Sequence, residues 1–276
     1  MRPLVRPLLP NRLRQAPAAR LLLSAFGNFC SFCERPLLDD VWVWNARTGA
    51  CVEGDNCSAQ DWEHLYLLDH DCHQAQQQAD QQELPLLMLP TESLVSYPHG
   101  ANYPLSYSFQ SIQRVLLDED NSEYEREPIG AVLISTTHYR AQATVRYFAL
   151  NTSYINADAN ELRIPGLDYL SLLDRRLDQR TDAWNFTQEA AMRINESQTQ
   201  AVREAGLQQL RLLVGTVGFW STCRTAAGTI LPYEQLQQVF DPIPLGQLAI
   251  TVQPLEHHAG FLGNGPHQPF PGTARI

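Results

Sequence analysis

Apolar and polar positions change period several times along the chain, and each change marks an element. Arg12 to Phe26 has the spacing of a short helix. A Trp/Val run at Val41 to Trp44 reads as a strand, followed by a Gly- and Asn-bearing loop around Gly49 to Asn56 and an apolar stretch from Trp62 to Leu68. A helix should then carry Cys72, His73 and the Gln-rich run Gln74 to Gln82, ending before Pro85. Tyr103 to Leu117 and Ala131 to Thr136 look like an antiparallel pair separated by an acidic turn, Asp118 to Glu127. Helical spacing returns from His138 to Leu150, with Ala141, Val145 and Phe148 on one face. Leu170, Leu173, Leu177, Thr181, Trp184 and Ala191 then form a packing stripe. A second helix over about Glu196 to Gly215 leads into a turn at Gly218 to Trp220, and six prolines between Pro242 and Pro271 mark an irregular tail. The fold class implied is α+β, with a small β insertion and a mainly helical C-terminal part. The segments fall at 1–25, 26–84, 85–165 and 166–276.

Composition narrows the function classes. The chain has 276 residues, 44% hydrophobic and 18% charged, and no apolar run approaches the roughly 18 residues of a membrane span, so no membrane partner is expected. A net charge of −10 argues against a general nucleic-acid coat, which needs basic surface, while leaving room for a local basic site. All 20 basic residues are arginine, which removes Schiff-base and P-loop lysine chemistry. Arg2, Arg6, Arg12, Arg14 and Arg20 precede an acidic body, and Pro3, Pro7, Pro10 and Pro17 break the segment, so it reads as a basic arm rather than a secretory signal.

Of the six cysteines, Cys30, Cys33, Cys51, Cys57 and Cys72 cluster, and Cys223 lies far away. A long chain with a C-x2-C pair points to a metal site in a reducing, cytoplasmic compartment rather than a disulfide scaffold. Cys30 and Cys33 place two thiolates on one tight turn, where both can face a tetrahedral zinc. The second half-site is Asp69 with Cys72, at the same x2 spacing; His70, Cys51 or Cys57 could take the place of Asp69. The competing reading is a set of unmetallated core thiols.

The stretch Asn28-Phe-Cys-Ser-Phe-Cys-Glu-Arg35, followed by Asp61-Trp-Glu-His-Leu-Tyr-Leu-Leu-Asp-His-Asp-Cys-His73, resembles the HNH endonucleases of the ββα-metal fold. More narrowly, it is similar to bacterial HNH proteins that partner ABC- or SMC-like ATPases in Septu-like anti-phage systems. Arg175-Arg176…Arg180-Thr-x-Ala-Trp184, Gly218-Phe-Trp-Ser221 and Phe270-Pro-Gly-Thr273 extend the likeness over most of the chain. The resemblance implies a zinc-stapled ββα core in which a Glu/Asp-His pair supplies a metal ligand and the base that activates water. By spacing from Cys33, that pair falls on Trp44 and Asn45. Indole offers no ligand lone pair and an amide accepts no proton near neutral pH, so Asn45 marks a degenerate catalytic position while His73 is kept. Asp69 stands where the family has a zinc cysteine, and His64 where it has an asparagine.

Two readings of function follow from the resemblance. In the first, the chain is a catalytically degenerate subunit with structural zinc that binds a protein partner, with nucleic acid as a further candidate ligand. In the second, His64, with Glu63, or Glu53 and Asp55, rebuilds a Mg- or Mn-dependent site around His73. A purely structural, oligomerising role is a third outcome. Elsewhere, His257, His258 and His267 offer only a weak second metal set, and Asp118 to Asp120 an acidic turn. Arg175, Arg176 and Arg180, near Asp174 and Asp178, suit intrahelical ion pairs.

Overall fold

The computed structural model describes residues 4, 6–37, 40–53, 56–92, 105–117, 124–151 and 175–240, with backbone alone over 113–117 and 124–127. The fold is α+β, with small sheets and many helices. After helix α1 (Ala18–Phe26), strands β1 (Trp42–Asn45), β2 (Cys51–Glu53) and β3 (Leu65–Leu68) form an antiparallel sheet in the order β2-β1-β3. The register sets Trp42 opposite Leu68 and Asn45 opposite Leu65. All four β3 residues are buried, because α1 and α2 (His70–Gln78) both pack on this strand.

Trp44 is fully buried, edge-on to Phe32 (5.5 Å, 81°) and to Phe148 (5.3 Å, 84°). Phe148 follows helix α3 (Tyr139–Tyr147), on which Ala141 is buried and Val145 half-buried. A long antiparallel ribbon, β4 (Ser106–Leu117) with β5 (Tyr124–Ser135), precedes α3. Side chains close the outer edge of β5: Thr181 Oγ1 accepts from the Val132 amide, and Asn151 bonds both backbone groups of Ile134. This leaves no unpaired ladder at that stretch of edge. The C-terminal helices are α4 (Arg176–Asn195), α5 (Gln200–Val217), α6 (Trp220–Gly228) and α7 (Tyr233–Phe240), which share a second core built on residues such as Ala191, Leu210, Trp220 and Phe240.

Several expectations are corrected. The Gly49–Asn56 region contains a strand, β2, and the Trp62–Leu68 stretch divides into the end of a 3-10 turn (Ala59–His64) and β3. The Gln-rich helix stops at Gln78 rather than Gln82. Ala79 is extended, and the Asp80 side chain accepts from the Gln82 amide to start a separate 3-10 turn that contains Pro85. The turn between the ribbon strands is shorter than predicted, since Tyr124 to Glu127 already pair with β4.

The N-terminal basic residues do not form a uniform arm. Arg6 lies against the rings of Phe26, Trp62 and Tyr66 and donates to the Trp62 and Leu65 carbonyls, where burial lowers its pKa. Arg12 and Arg14 are exposed. Arg175 does pair with Asp178, whereas Arg176 and Arg180 are buried rather than on the surface that the ion-pair reading expects. Carbonyl groups of other elements explain the difference: Arg180 donates to Val132 O (2.8 Å) and Leu150 O (2.9 Å). The helical pattern at Leu170, Leu173 and Asp174, the acids Asp55, Asp118, Glu119 and Asp120, residue Arg2 and the tail histidines lie outside the described residues.

Candidate metal centre

Cys30 and Cys33 stand on a tight turn that Glu34 completes with a left-handed φ of 69°. The Glu34 amide donates to Cys30 O (3.2 Å) and the Cys30 amide to Arg35 O (2.9 Å), closing the loop on itself. Ser31 fixes it to β3 from both sides, its amide donating to Leu67 O (2.8 Å) while its hydroxyl accepts from the Leu67 amide (3.0 Å). Asp69 follows β3 directly and caps α2, accepting from the Cys72 amide at 2.9 Å. That cap places Cys72, one turn into the helix, beside the knuckle.

The ligand atoms of Cys30, Cys33, Asp69 and Cys72 all lie within 4.8 Å of one another, and the four residues are buried. A tetrahedral zinc with bonds of about 2.3 Å to sulfur and about 2.0 Å to oxygen sets ligand edges of about 3.5–3.8 Å. The Cys33 Sγ to Asp69 Oδ2 separation is 3.4 Å. The donor set therefore fits a small tetrahedral cation with minor contraction. Sulfur ligands favour zinc over magnesium or calcium.

Charges around the cluster point the same way. Arg35 bonds Asp69 (2.7 Å) and Asp71 (2.5 Å), and these carboxylates hold its pKa above the usual arginine value despite burial that works to lower it. Arg176, 2% exposed, donates to Cys72 Sγ at 3.2 Å and to Phe148 O at 2.8 Å. Three thiolates and one carboxylate around a divalent ion would carry two negative charges, which the guanidinium groups of Arg35 and Arg176 offset, although Arg35 is shared with Asp71. Burial pushes Cys33 and Cys72 well above the ordinary thiol pKa, and Asp69 up to about 6. Burial also opposes ionisation of Cys30, but the Cys33 and Cys72 thiols hydrogen-bond to it and hold its pKa well below the ordinary value. A divalent cation would ionise all three, because metal binding displaces the thiol protons.

Cys51, Cys57 and Cys223 stand apart from this cluster. Cys51 lies on β2 with its pKa pushed up to about 12 by burial; Cys57 contacts Ser58 O; Cys223 is buried in the helical core. His70 is exposed at the start of α2.

The residues considered for catalysis do not converge. Asn45 donates from its amide to Asp61 Oδ2 (3.2 Å) and accepts from the Arg47 amide (2.9 Å), stabilising the turn after β1. His64 lies at this same end, its carbonyl accepting from the Ala46 amide. His73 lies at the other end of β1, its ring stacked on Trp42 at 3.7 Å and 17°. At about 3.4 Å of rise per residue, the strand separates the two histidines by on the order of 10 Å. Burial, with a smaller contribution from His70, lowers the His73 pKa and favours its neutral form. Glu53 is exposed at the end of β2.

Two features that sequence reasoning missed hold the centre to the rest of the molecule. One is Arg176. The other is Glu34, whose carbonyl accepts from the Phe219 amide (3.0 Å) and whose Oε2 accepts from the Ser221 amide (2.7 Å) at the start of α6. The Cys-Glu-Arg and Gly-Phe-Trp-Ser segments were each visible as motifs, but nothing local in either signals that they touch. No family model, curated protein or solved structure matches the chain. Among the described residues, no helix is long and apolar enough to cross a membrane.

Proposed function

We propose that this chain is a divergent HNH-type protein whose zinc-stapled ββα core serves as a docking scaffold, without hydrolytic activity, in a bacterial anti-phage complex. The zinc is structural. The chain works by binding a protein partner, for which the resemblance suggests an ABC- or SMC-like ATPase.

The observation that carries this reading is the environment of Trp44. The resemblance puts the metal-binding carboxylate there, and the position is occupied by an indole with no exposed surface, enclosed by Phe32, Tyr66 and Phe148. Neither water nor a phosphodiester reaches it. Asn45, the position of the base, is committed to Asp61, and His73 is stacked on Trp42. A nucleic-acid contact draws less support, since the net charge is −10 and Arg6, Arg176 and Arg180 are spent on internal carbonyls.

The test pairs metal analysis by mass spectrometry with a plasmid-nicking assay in Mg or Mn, on wild type and His73→Ala. One zinc per chain and no nicking are expected, together with co-purification of an ABC- or SMC-like ATPase when the chain is isolated from its native host. Nicking that disappears in His73→Ala would overturn the reading in favour of a rebuilt active site.

A further inference from the structure

A cleft of ≈ 420 Å³ lies next to the metal centre, between the chain leaving the cysteine turn and α4. On α4, Asp182, Ala183 and Phe186 line it, Phe186 lying three and four residues beyond the other two and so on their side of the helix. Leu37 and Asp40 line it from the chain after the cysteine turn, Asp69 and His70 from the start of α2, and Phe219 from the turn before α6. Leu37, Ala183 and Phe219 are buried and give the cleft an apolar floor, whereas the Phe186 ring is 54% exposed. Asp40 and Asp182 are exposed carboxylates with no hydrogen bond or ion pair among the described residues. Arg35, also on the wall, is held by Asp69 and Asp71 and offers them no counter-ion.

This lining discriminates between occupants. Anions, including nucleic-acid phosphate, are repelled by the two carboxylates. A wholly apolar segment would cover Asp40 and Asp182 without replacing their hydration, which is costly. A cation on an apolar stem satisfies both parts of the cleft. Arginine suits it better than lysine, because its planar guanidinium can stack on an aromatic ring while its N–H groups meet a carboxylate. The volume falls within the roughly 300–1,000 Å³ of ligand-binding clefts.

We propose that this cleft receives an arginine-bearing segment of a protein partner, with the guanidinium against Asp40 and Asp182 and over Phe186. The inference rests on the partner-binding reading above and supplies the chemistry of the contact.

The test titrates the zinc-loaded full chain with acetyl-Leu-Arg-Ala-Leu-Arg-amide and with the same peptide carrying citrulline, the neutral isostere, in place of arginine. Binding is read by calorimetry or backbone amide shifts. The arginine peptide is expected to bind at least tenfold more tightly than the citrulline peptide. In the Asp40→Asn/Asp182→Asn variant that preference should collapse, with an unchanged melting temperature because both side chains are exposed. Phe186→Ala should weaken the arginine peptide by about two- to fivefold, the range of an exposed cation–π contact. Equal affinity for the two peptides, or a preference that survives the double variant, would overturn the proposal. If preference is absent while an ABC- or SMC-like ATPase still co-purifies from the native host, the cleft assignment fails and partner binding stands. A preference without co-purification supports the cleft and removes that ATPase as the partner.

Discussion

Arg176→Met tests whether the buried guanidinium balances charge at the metal centre. The substitution keeps an unbranched apolar stem and removes every N–H donor from a residue that is 2% exposed. It strips a charged donor from Cys72 Sγ (3.2 Å) and leaves Phe148 O (2.8 Å) and Ala149 O (3.4 Å) without it at the end of α3. A buried carbonyl that loses its partner costs about 1–3 kcal/mol, so the global destabilisation should be about 3–5 kcal/mol. Loss of an outer-shell partner typically lowers metal affinity 10- to 100-fold, equivalent to about 1.4–2.8 kcal/mol. Arg180→Met is the matched control. Arg180 is equally buried but donates to Val132 O, Leu150 O and the Asn151 side chain instead of to sulfur. Urea unfolding should show both variants destabilised. Competition for cobalt or zinc against a chromophoric chelator should show weakened binding in Arg176→Met alone. Equal loss of metal affinity in the two variants, or none in Arg176→Met, would refute the charge-balance argument.

Three other substitutions separate the remaining roles. Asp69→Asn keeps a good helix cap but removes the carboxylate charge, so the far-UV spectrum should persist while zinc affinity falls at least tenfold; unchanged affinity would make Asp69 a cap only. Gly218→Ala meets both a φ of 74° and a Cβ position 2.3 Å from Glu34 O, and should cost about 2 kcal/mol or more, read as a lower urea midpoint at constant slope. Trp44→Glu, which restores the residue type the resemblance predicts, should abolish soluble expression rather than create activity. It exchanges a fully buried ring, worth about 3–5 kcal/mol in packing, for an unpaired carboxylate. A folded, nicking-competent variant would show that the site is not closed by packing.

The two cysteine half-sites were legible because each repeats a local rule. Two ligands separated by two residues face one point, whether on the Cys30–Cys33 turn or at the capped start of α2, where Asp69 and Cys72 are one turn apart. The ribbon was legible from its alternation, although the pairing of Tyr124 to Glu127 was hidden by their acidic character. Strand β2 has only three residues, too few to show a period, and its identity comes from Val52 pairing with Val43. Arg176 and Arg180 were misread for the opposite reason. Nearby acids offered a sufficient local explanation, while the groups that bury them are the Phe148, Leu150 and Val132 carbonyls, 28 to 48 residues earlier in the chain. Local patterning has no means of showing such a partner.

The cysteine turn has a further consequence for how a non-catalytic metal would act. Phe29, just before it, belongs to the helical core, whereas Phe32, inside it, stacks on Phe148 (3.9 Å, 24°) in the core beneath the sheet. Glu34 then caps α6 and Arg35 binds Asp69 and Asp71. The seven residues Phe29 to Arg35 thus bridge two hydrophobic cores, with Cys30 and Cys33 at the centre of the bridge. A cation bound by these cysteines and by Cys72 would hold the turn against β3 and α2, and through Glu34 and Arg176 it would also hold α6 and α4. One wall of the cleft leaves this turn and the other is α4. A cation at this centre would thereby stabilise the α4 wall of the cleft as well, which couples the proposed zinc site to the proposed docking site without any hydrolytic step.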